Sequence, residues 1–294
     1  MYLNKTILLG SFFVVLGEVF FVLMGMLVKY LGDDIPNHQM VFYRNWMAAL
    51  IIIPILFAQG LHNIKTRRVG MHLIRAGSGV LAMYCFYYAL THIELADAMM
   101  LKMTAPIFIP FIAVFWIKEQ VSFKTTLAIL IGFAGVIIYL NPTVEIQIAA
   151  IVGLIGGALA ALAKVSIRKM SDTEPTARIV FYFALFGALI SSIPVIAGES
   201  YLPDSYQEWG LLLLLGLTGT CGQFCLTHAY RIAPASQVGP FTYSSLLWAS
   251  LAGWFFWSEI PSLNTMTDDN QASTCHSVEA WNFTPEKPSC QASP

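Results

Sequence analysis

The sequence predicts an all-α polytopic membrane protein, and three observations predict it. Hydrophobic residues make up 57% of the 294 residues and charged residues only 11%, whereas soluble domains carry about 25% charge. Nine apolar stretches are long enough to cross a bilayer as helices. The basic residues also fall almost entirely on one side of those stretches. A chain of this composition cannot cover itself with polar surface in water, so its solvent is largely lipid.

Each stretch is a continuous apolar run, and this favours helices over a membrane β-barrel, whose strands alternate apolar and polar residues. Roughly 20 apolar residues are needed for a helix to cross a hydrocarbon core about 30 Å thick. The predicted spans are residues 7–28, 39–59, 71–91, 96–116, 123–141, 148–167, 178–197, 208–230 and 236–257.

The distribution of lysine and arginine predicts the orientation, because cytoplasmic loops carry an excess of both. With the N-terminus inside, the outer loops before the ninth span hold only Lys29. The inner side holds eleven basic residues: Lys5, Lys65, Arg67, Arg68, Arg75, Lys118, Lys124, Arg168, Lys169, Arg178 and Arg231. We therefore expect a multi-pass protein of the cell (inner) membrane with a cytoplasmic N-terminus. The first span is not a signal peptide, because it contains Glu18 and lacks a small-residue cleavage pattern.

The second half of the chain repeats the first. A shift of 140 residues superposes the span pattern and aligns several identical residues, including Gly17 with Gly157 and Cys85 with Cys225. Five spans is an odd number, so the second copy must enter the membrane in the opposite sense. Inverted repeats of this kind are typical of transporters, with the binding site near the midplane between the halves.

The two repeats are not equally long. Residues 1–141 form a predicted five-helix repeat, whereas residues 142–263 form one of four helices. Residues 264–294 are polar and contain no run long enough to cross, so we expect a disordered tail outside the membrane. The tenth helix is therefore missing from the prediction, and the apolar face that it leaves on spans six to nine is expected to favour a homodimer.

Several motifs resemble the EamA family of the drug/metabolite transporter superfamily. Residues 38–60, beginning His38-Gln39-Met40-Val41-Phe42-Tyr43-Arg44, resemble its second helix, and residues 95–119 resemble its fourth helix and the glutamate turn that follows. Residues 132–136 are similar to part of its fifth helix, and residues 255–259 repeat the glutamate turn. The resemblance covers about residues 5–263. It implies a ten-helix fold of two five-helix repeats and transport of small organic metabolites by alternating access.

Charges inside predicted spans are candidate functional residues, because each costs a few kcal/mol in the bilayer. Glu18 lies eleven residues into its span, roughly 17 Å deep at 1.5 Å per residue. Arg44 and Lys102 lie at similar depth in the outer half. The two cations either attract a carboxylate-bearing substrate or pair with Glu18, and for Arg44 a structural role is favoured. Lys164 is expected to extend to the interface as an anchor.

Aromatic and soft side chains supply further candidates. Tyr84, Tyr88 and Tyr243 would line a cavity for a ring-bearing substrate, although packing between helices is the commoner role of such residues. His228 is a candidate protonatable cavity residue. It shares one helix face with Cys221 and Cys225, but one helix cannot close a tetrahedral metal site, so we expect no metal.

The leading hypothesis is a secondary active transporter of small organic metabolites, an exporter or uptake carrier for an anionic or amino-acid-like compound. The partners expected are therefore a small-molecule substrate and the lipid bilayer. A net charge of −1 gives no indication of nucleic-acid binding. No enzyme motif and no P-loop occur, so we expect no enzyme and no cofactor. The alternatives are an intramembrane enzyme acting on lipid-linked groups and a non-transporting sensor or assembly protein.

Overall fold

The computed structural model describes residues 5–59, 64–93, 98, 101–118, 127, 131, 148–198 and 201–257, and in this part of the chain every regular element is helical. The elements are α1 (Lys5–Leu31), α2 (Asn37–Gln59), α3 (Val69–His92), α4 (Ala105–Ile117), α5 (Ile148–Met170), α6 (Thr176–Ala197), α7 (Tyr206–Ile232), α8 (Ala235–Val238) and α9 (Ser244–Trp257), with a 3₁₀ helix at Gly239–Tyr243 between the last two.

The long helices confirm the predicted polytopic, all-helical class. Within the described residues, α1, α3, α6, α7 and residues 151–170 of α5 are long and apolar enough to cross a membrane. Helix α2 is of similar length but carries Arg44 and Asn45, both fully buried. The predicted fifth span at 123–141 lies almost entirely outside the described residues, as does the whole of residues 264–294, so the missing tenth helix stays a prediction.

Two predicted spans are interrupted near the same position of each repeat. In the span predicted at 96–116, residues 101 and 102 are helical, 103 and 104 form a turn, and α4 then begins with Pro106 in its first turn. In the span predicted at 236–257, α8 gives way to the 3₁₀ helix, with Pro240 in its first turn, before α9 begins. Proline lacks a backbone N–H, so it is tolerated where a helix begins. Broken helices of this kind are where transporters expose polar groups to a cavity.

The connections α1–α2 and α5–α6 are copies of each other. In the first, the amide of Ile35 donates to the Leu31 carbonyl at 2.9 Å, and in the second the amide of Glu174 donates to the Met170 carbonyl at 2.9 Å. Each is followed by a proline and then a helix. The two connections nevertheless lie at opposite ends of the protein. Helix α6 begins at the α5–α6 connection, and its other end leads to Tyr201. The Tyr201 carbonyl accepts a hydrogen bond from Tyr43 near the start of α2, and therefore lies at the end of the protein that holds the α1–α2 connection. The repeats are therefore inverted.

The halves also pack crosswise, as an inverted pair requires. Helix α1 packs mainly on α7, and its equivalent α5 packs mainly on α3. A Cβ at Gly17 would lie 3.3 Å from the Cβ of Cys225, and a Cβ at Gly156 would lie 2.8 Å from the Cβ of Cys85. Small residues let these backbones approach closely. Each of these contacts pairs a glycine in the first helix of one half with a cysteine of the other half.

Candidate functional site

A cavity lies where the two halves meet, between α1, α3, α5, α7 and the broken helix before α4. Its volume is about 100 Å³, smaller than the 300 to 1,000 Å³ or so of typical ligand pockets. Much of its wall is apolar, with aromatic and aliphatic side chains from α1, α3 and the segment before α4. Its polar lining consists of Glu18, Arg75, Lys102, Lys164 and Gln223.

Glu18 and Lys102 form an ion pair in this cavity. Lys102 Nζ lies 2.7 Å from Glu18 Oε2, with Glu18 fully buried and the Lys102 side chain 15% exposed. The ammonium also lies 4.5 Å from the ring centroid of Phe21 and 5.5 Å from that of Phe86, close enough for cation–π attraction. Pairing with Glu18 is one of the two roles that the sequence raises for Lys102. The second carboxylate oxygen, Glu18 Oε1, is buried and has no hydrogen-bond partner among the described residues.

Lys164 faces the same cavity, and the expectation that it extends to the membrane interface is wrong. It is only 5% exposed, because it lies within α5 on the face that packs against the other half. Its Nζ lies 3.5 Å from Thr242 Oγ1 and 5.7 Å from the ring centroid of Tyr230. Thr242 belongs to the 3₁₀ helix and is the counterpart, 140 residues later, of Lys102. Each interrupted span therefore brings one polar side chain to an ionisable residue in the first helix of its own half.

Arg75 completes the basic lining. Its position in the sequence predicts a cation of the inner side, but Arg75 lies within α3 and is 3% exposed. Its guanidinium donates to Gln223 Oε1 at 2.7 Å and lies 4.2 Å from the ring centroid of Phe183. Its depth in α3, six residues past Val69, is the signal that would have identified it. Glu18 is thus one anion among three cations on this wall.

The other predicted site residues lie elsewhere. Arg44 is fully buried, donates to Asn45 Oδ1 at 2.9 Å and to the Gly219 carbonyl at 3.1 Å, and lies 5.5 Å from the Phe183 ring centroid. These contacts join α2 to α7 and fit the structural role that the sequence favours for it. Arg44 is not among the residues that line the described cavity.

The remaining candidates are aromatic or imidazole side chains. Tyr88 stacks on His92, with ring centroids 4.0 Å apart. The ring of His228 packs edge-on to Phe13 at 4.7 Å, and its Nδ1 lies 3.3 Å from Thr176 Oγ1. Tyr84 and Tyr243 each bury a hydroxyl that has no partner among the described residues. None of the four lines the described cavity, so their binding role stays a prediction.

Cys221, Cys225 and His228 share one helix face, and the sequence predicts that they do not bind a metal ion. Within the described residues, no group of three or more metal-ligating side chains comes close enough to hold an ion. Both cysteines are free and partly buried thiols, and Cys225 packs beside Gly17 of α1.

The arrangement suits a ligand that carries both signs of charge. The unpartnered Glu18 oxygen would accept from a cationic group, and Lys102 and Lys164 would donate to an anionic one. Charge-assisted hydrogen bonds of this kind are about twice as strong as neutral ones. The apolar walls would accept an organic side chain.

Comparisons with known proteins identify the family. The model of the EamA-like transporter family matches this chain twice, at residues 8–141 and again at 147–267. A crystal structure with 17% sequence identity superposes with a TM-score of 0.67 over 88% of this chain and 90% of that chain, which establishes the fold alone.

Two curated relatives are named for what they carry. The pseudopaline exporter CntI of Pseudomonas aeruginosa is 31% identical over 259 residues, covering 87% of this chain and 90% of the relative. The S-adenosylmethionine uptake transporter of Rickettsia felis is 27% identical over 263 residues, covering 89% of each. With two family matches across nearly its whole length, this chain belongs to the EamA-like transporter family and is a metabolite transporter of that type.

Proposed function

We propose that the protein is a secondary active transporter that moves a small anionic or amino-acid-like metabolite by alternating access. The observation that carries the proposal is the Glu18–Lys102 pair, buried in a cavity between inverted halves, with one carboxylate oxygen left unpartnered among the described residues. A metabolite with an amino and an acidic group can replace both partners of this pair at once. The full sequence contains no P-loop, so an ion or substrate gradient supplies the energy.

The size of the cavity supports alternating access. A volume of about 100 Å³ holds several water molecules but not an amino acid with its side chain. Substrate entry therefore needs the halves to separate on one side. The crosswise contacts of α1 with α7 and of α3 with α5 are between small residues, which lets the helices slide with little side-chain rearrangement.

The proposed orientation keeps the N-terminus in the cytoplasm of the cell (inner) membrane. The end that carries residues 64–68 and 170–178 is then cytoplasmic, and the end that carries Tyr201 is external. Single cysteines at exposed Lys65 and exposed Asp204 test this directly. An impermeant maleimide added to intact cells is expected to label only the second. Labelling of residue 65 from outside would reverse the orientation.

The transport experiment compares single and double substitutions of the pair in proteoliposomes. Counterflow of radiolabelled S-adenosylmethionine and of a panel of amino acids first identifies a transported probe. Glu18→Gln and Lys102→Met are each expected to reduce its transport by at least tenfold, because either leaves one charge buried and alone.

The double variant Glu18→Gln/Lys102→Met separates binding from folding. Removing both charges restores part of the stability that each single change costs, because neither member of the pair is then left without its partner. A stable double variant that does not transport supports the binding role. A double variant that transports at the wild-type rate shows that the pair only holds helices together. Recovery of the probe chemically unchanged distinguishes a carrier from the alternative intramembrane enzyme.

A further inference from the structure

Glu174 is the centre of a buried polar cluster at the end of the protein opposite Tyr201. Its side chain is 3% exposed. Thr66 Oγ1 donates to Glu174 Oε1 at 2.7 Å, and Arg178 donates to Oε2 at 3.0 Å. Arg231 Nε donates to the Glu174 backbone carbonyl at 3.1 Å. The cluster thus ties the connection between α2 and α3, in the first half, to the α5–α6 connection and α7 of the second half.

His72 lies against this carboxylate from the first half. It is fully buried near the start of α3, with its ring stacked on Tyr182 of α6 at a centroid distance of 4.5 Å. Its Nε2 lies 3.6 Å from Glu174 Oε2, and neither ring nitrogen has a hydrogen-bond partner among the described residues. A neutral imidazole carries one N–H, which lies on either Nδ1 or Nε2. A protonated imidazole carries an N–H on both nitrogens, so it always donates from Nε2.

We propose that His72 and Glu174 form a proton-binding site that locks this end of the protein. A proton on His72 converts the 3.6 Å approach into a charged hydrogen bond across the boundary between the halves. Loss of the proton leaves Thr66 as the one described residue of the first half that still binds the carboxylate, since Arg178 belongs to the same half as Glu174. Histidine is the side chain whose ordinary titration falls in the physiological range, so this change is available to a living cell.

The surrounding charges oppose one another. On α3 itself, Arg75 lies three residues beyond His72 and so on the same helix face, and on α6 Arg178 binds the same carboxylate oxygen. Burial of the ring disfavours a charge on His72 most strongly, and both cations add to this, whereas Glu174 favours the charge. Arg231 of α7 and Arg68 of the connection donate to backbone carbonyls, those of Glu174 and Lys169. Glu174 is nearest to His72 across the boundary, so protonation favours the closed arrangement.

The lock goes beyond the proposed function, which requires only that one end be shut while the other opens. The lock adds that a proton on His72 closes the end that holds Glu174. In the proposed orientation this end is cytoplasmic, so acidification of the cytoplasm would hold the protein closed towards it.

Spin labels across the boundary test the lock without any substrate. Arg67→Cys and Thr173→Cys place labels at exposed positions of the two halves, in a chain whose five native cysteines are replaced by serine. Distances are measured by double electron–electron resonance in nanodiscs at about pH 5.5 and about pH 8.5, on either side of the ordinary histidine titration. The expected result is a single short distance in acid and an added longer component in alkali.

Two substitutions assign this shift to the pair. His72→Gln keeps a hydrogen-bond donor but cannot gain a charge, so it is expected to lose the pH dependence. Glu174→Gln removes the charge that His72 binds and is expected to show the longer component at both pH values. The same labels at exposed Asp34 and Asp204 report on the other end, where alternating access predicts a shift in the opposite sense; a lengthening at both ends in alkali would count against the proposal.

A wild-type distance that does not change with pH overturns the proposal, as does a shift that persists in His72→Gln. Should Glu174→Gln fail to fold, His72→Gln decides the question by itself, because its labels and pH range are the same. The measurement involves no transport, so a failed transport assay leaves its outcome intact. Conversely, a pH-independent lock leaves the role of the Glu18–Lys102 pair untouched.

Discussion

The two connections at residues 31–37 and 170–176 close with the same backbone hydrogen bonds, but one buried position is apolar in the first and charged in the second. Ile35 occupies it in the first, where it is 1% exposed among apolar neighbours, and Glu174 occupies it in the second. The amide hydrogen bonds that close the two turns are both 2.9 Å long. The inverted repeat has therefore kept its geometry and changed its chemistry. One end of the protein is closed by packing and the other by a charged, hydrogen-bonded side chain.

The polar contacts near the Ile35 end are also of a different kind. Tyr43 donates to the Tyr201 carbonyl at 2.7 Å, and Tyr201 in turn donates to Glu208 Oε2 at 2.8 Å. The hydrogen bond to Glu208 raises the pKa of Tyr201 to about 12, so this hydroxyl keeps its proton at any physiological pH. The Tyr43–Tyr201 contact between the halves is therefore independent of physiological pH, unlike the His72–Glu174 contact that we propose at the other end.

The largest effect is expected from placing a carboxylate at the Ile35 position. Ile35→Glu buries an acid in a copy of the Glu174 turn that has no Thr66, Arg178 or His72 beside it. An unpaired buried ion costs several kcal/mol even after relaxation. We expect little or no folded protein, as measured by size-exclusion chromatography of a fluorescent fusion. Ile35→Val is the control and is expected to cost about 1 kcal/mol. Wild-type yield of the glutamate variant would mean that this end is open to water.

The reverse exchange, Glu174→Ile, is expected to lower the free energy of unfolding by less than Ile35→Glu does, but still by about 3 kcal/mol. The isoleucine fits the turn, as Ile35 shows, but it leaves Arg178 and Thr66 without their acceptor. Unfolding in mixed detergent micelles with increasing SDS measures the loss. Adding Arg178→Met removes the cation that binds Glu174 in the wild type and should recover part of the lost stability. Equal stability of Glu174→Ile and the wild type would show that the cluster contributes nothing to holding the halves together.

The joints between the halves give a third comparison. A Cβ at Gly157 would overlap the hydroxyl of Thr104, whereas a Cβ at the equivalent Gly17 meets Cys225 and the Gly222 carbonyl at 3.3 Å. Overpacking typically costs about 1 to 3 kcal/mol, and alanine recovers up to about 1 kcal/mol of helix propensity over glycine. Gly157→Ala is therefore expected to destabilise the protein more than Gly17→Ala, by about 1 kcal/mol in the same SDS titration. Equal losses would mean that the two joints are equally tight.

Hydropathy predicted the helices well because lipid imposes one requirement on every span. Each predicted span that falls within the described residues coincides with a helix to within a few residues, apart from the two interrupted ones. There, Pro106 and Pro240 were the signals, since each begins a new helical segment. Hydropathy could not place the breaks because it averages over the whole span.

The site was predicted less completely, because depth along a helix does not specify which face a residue occupies. Depth alone identified Glu18 and Lys102, whose pairing the structure shows. The same measure misplaced Lys164, which counts as near the end of its predicted span yet faces inward on α5. Glu174 looked like an ordinary loop residue. Its alignment with Ile35, at a shift of 139 residues, would have marked it as a charge in an apolar position.

The smallest effect concerns the hydroxyl at the Tyr201 end. Tyr201→Phe removes the hydrogen bond to Glu208 but keeps the backbone carbonyl that binds Tyr43, so the contact between the halves survives. A partly exposed hydrogen bond of this kind contributes about 1 kcal/mol or less. Because Tyr201 keeps its proton throughout, the loss of unfolding free energy should be the same at about pH 5.5 and about pH 8.5. The effect of His72→Gln, by contrast, should appear only in acid.

Tyr43→Phe is the matched substitution. It removes the hydrogen bond between the halves, so it should lower the free energy of unfolding more than Tyr201→Phe does. If instead the loss in Tyr201→Phe grew at acid pH, Glu208 would be titrating there, and the two ends would share a response that we assign to Glu174 alone.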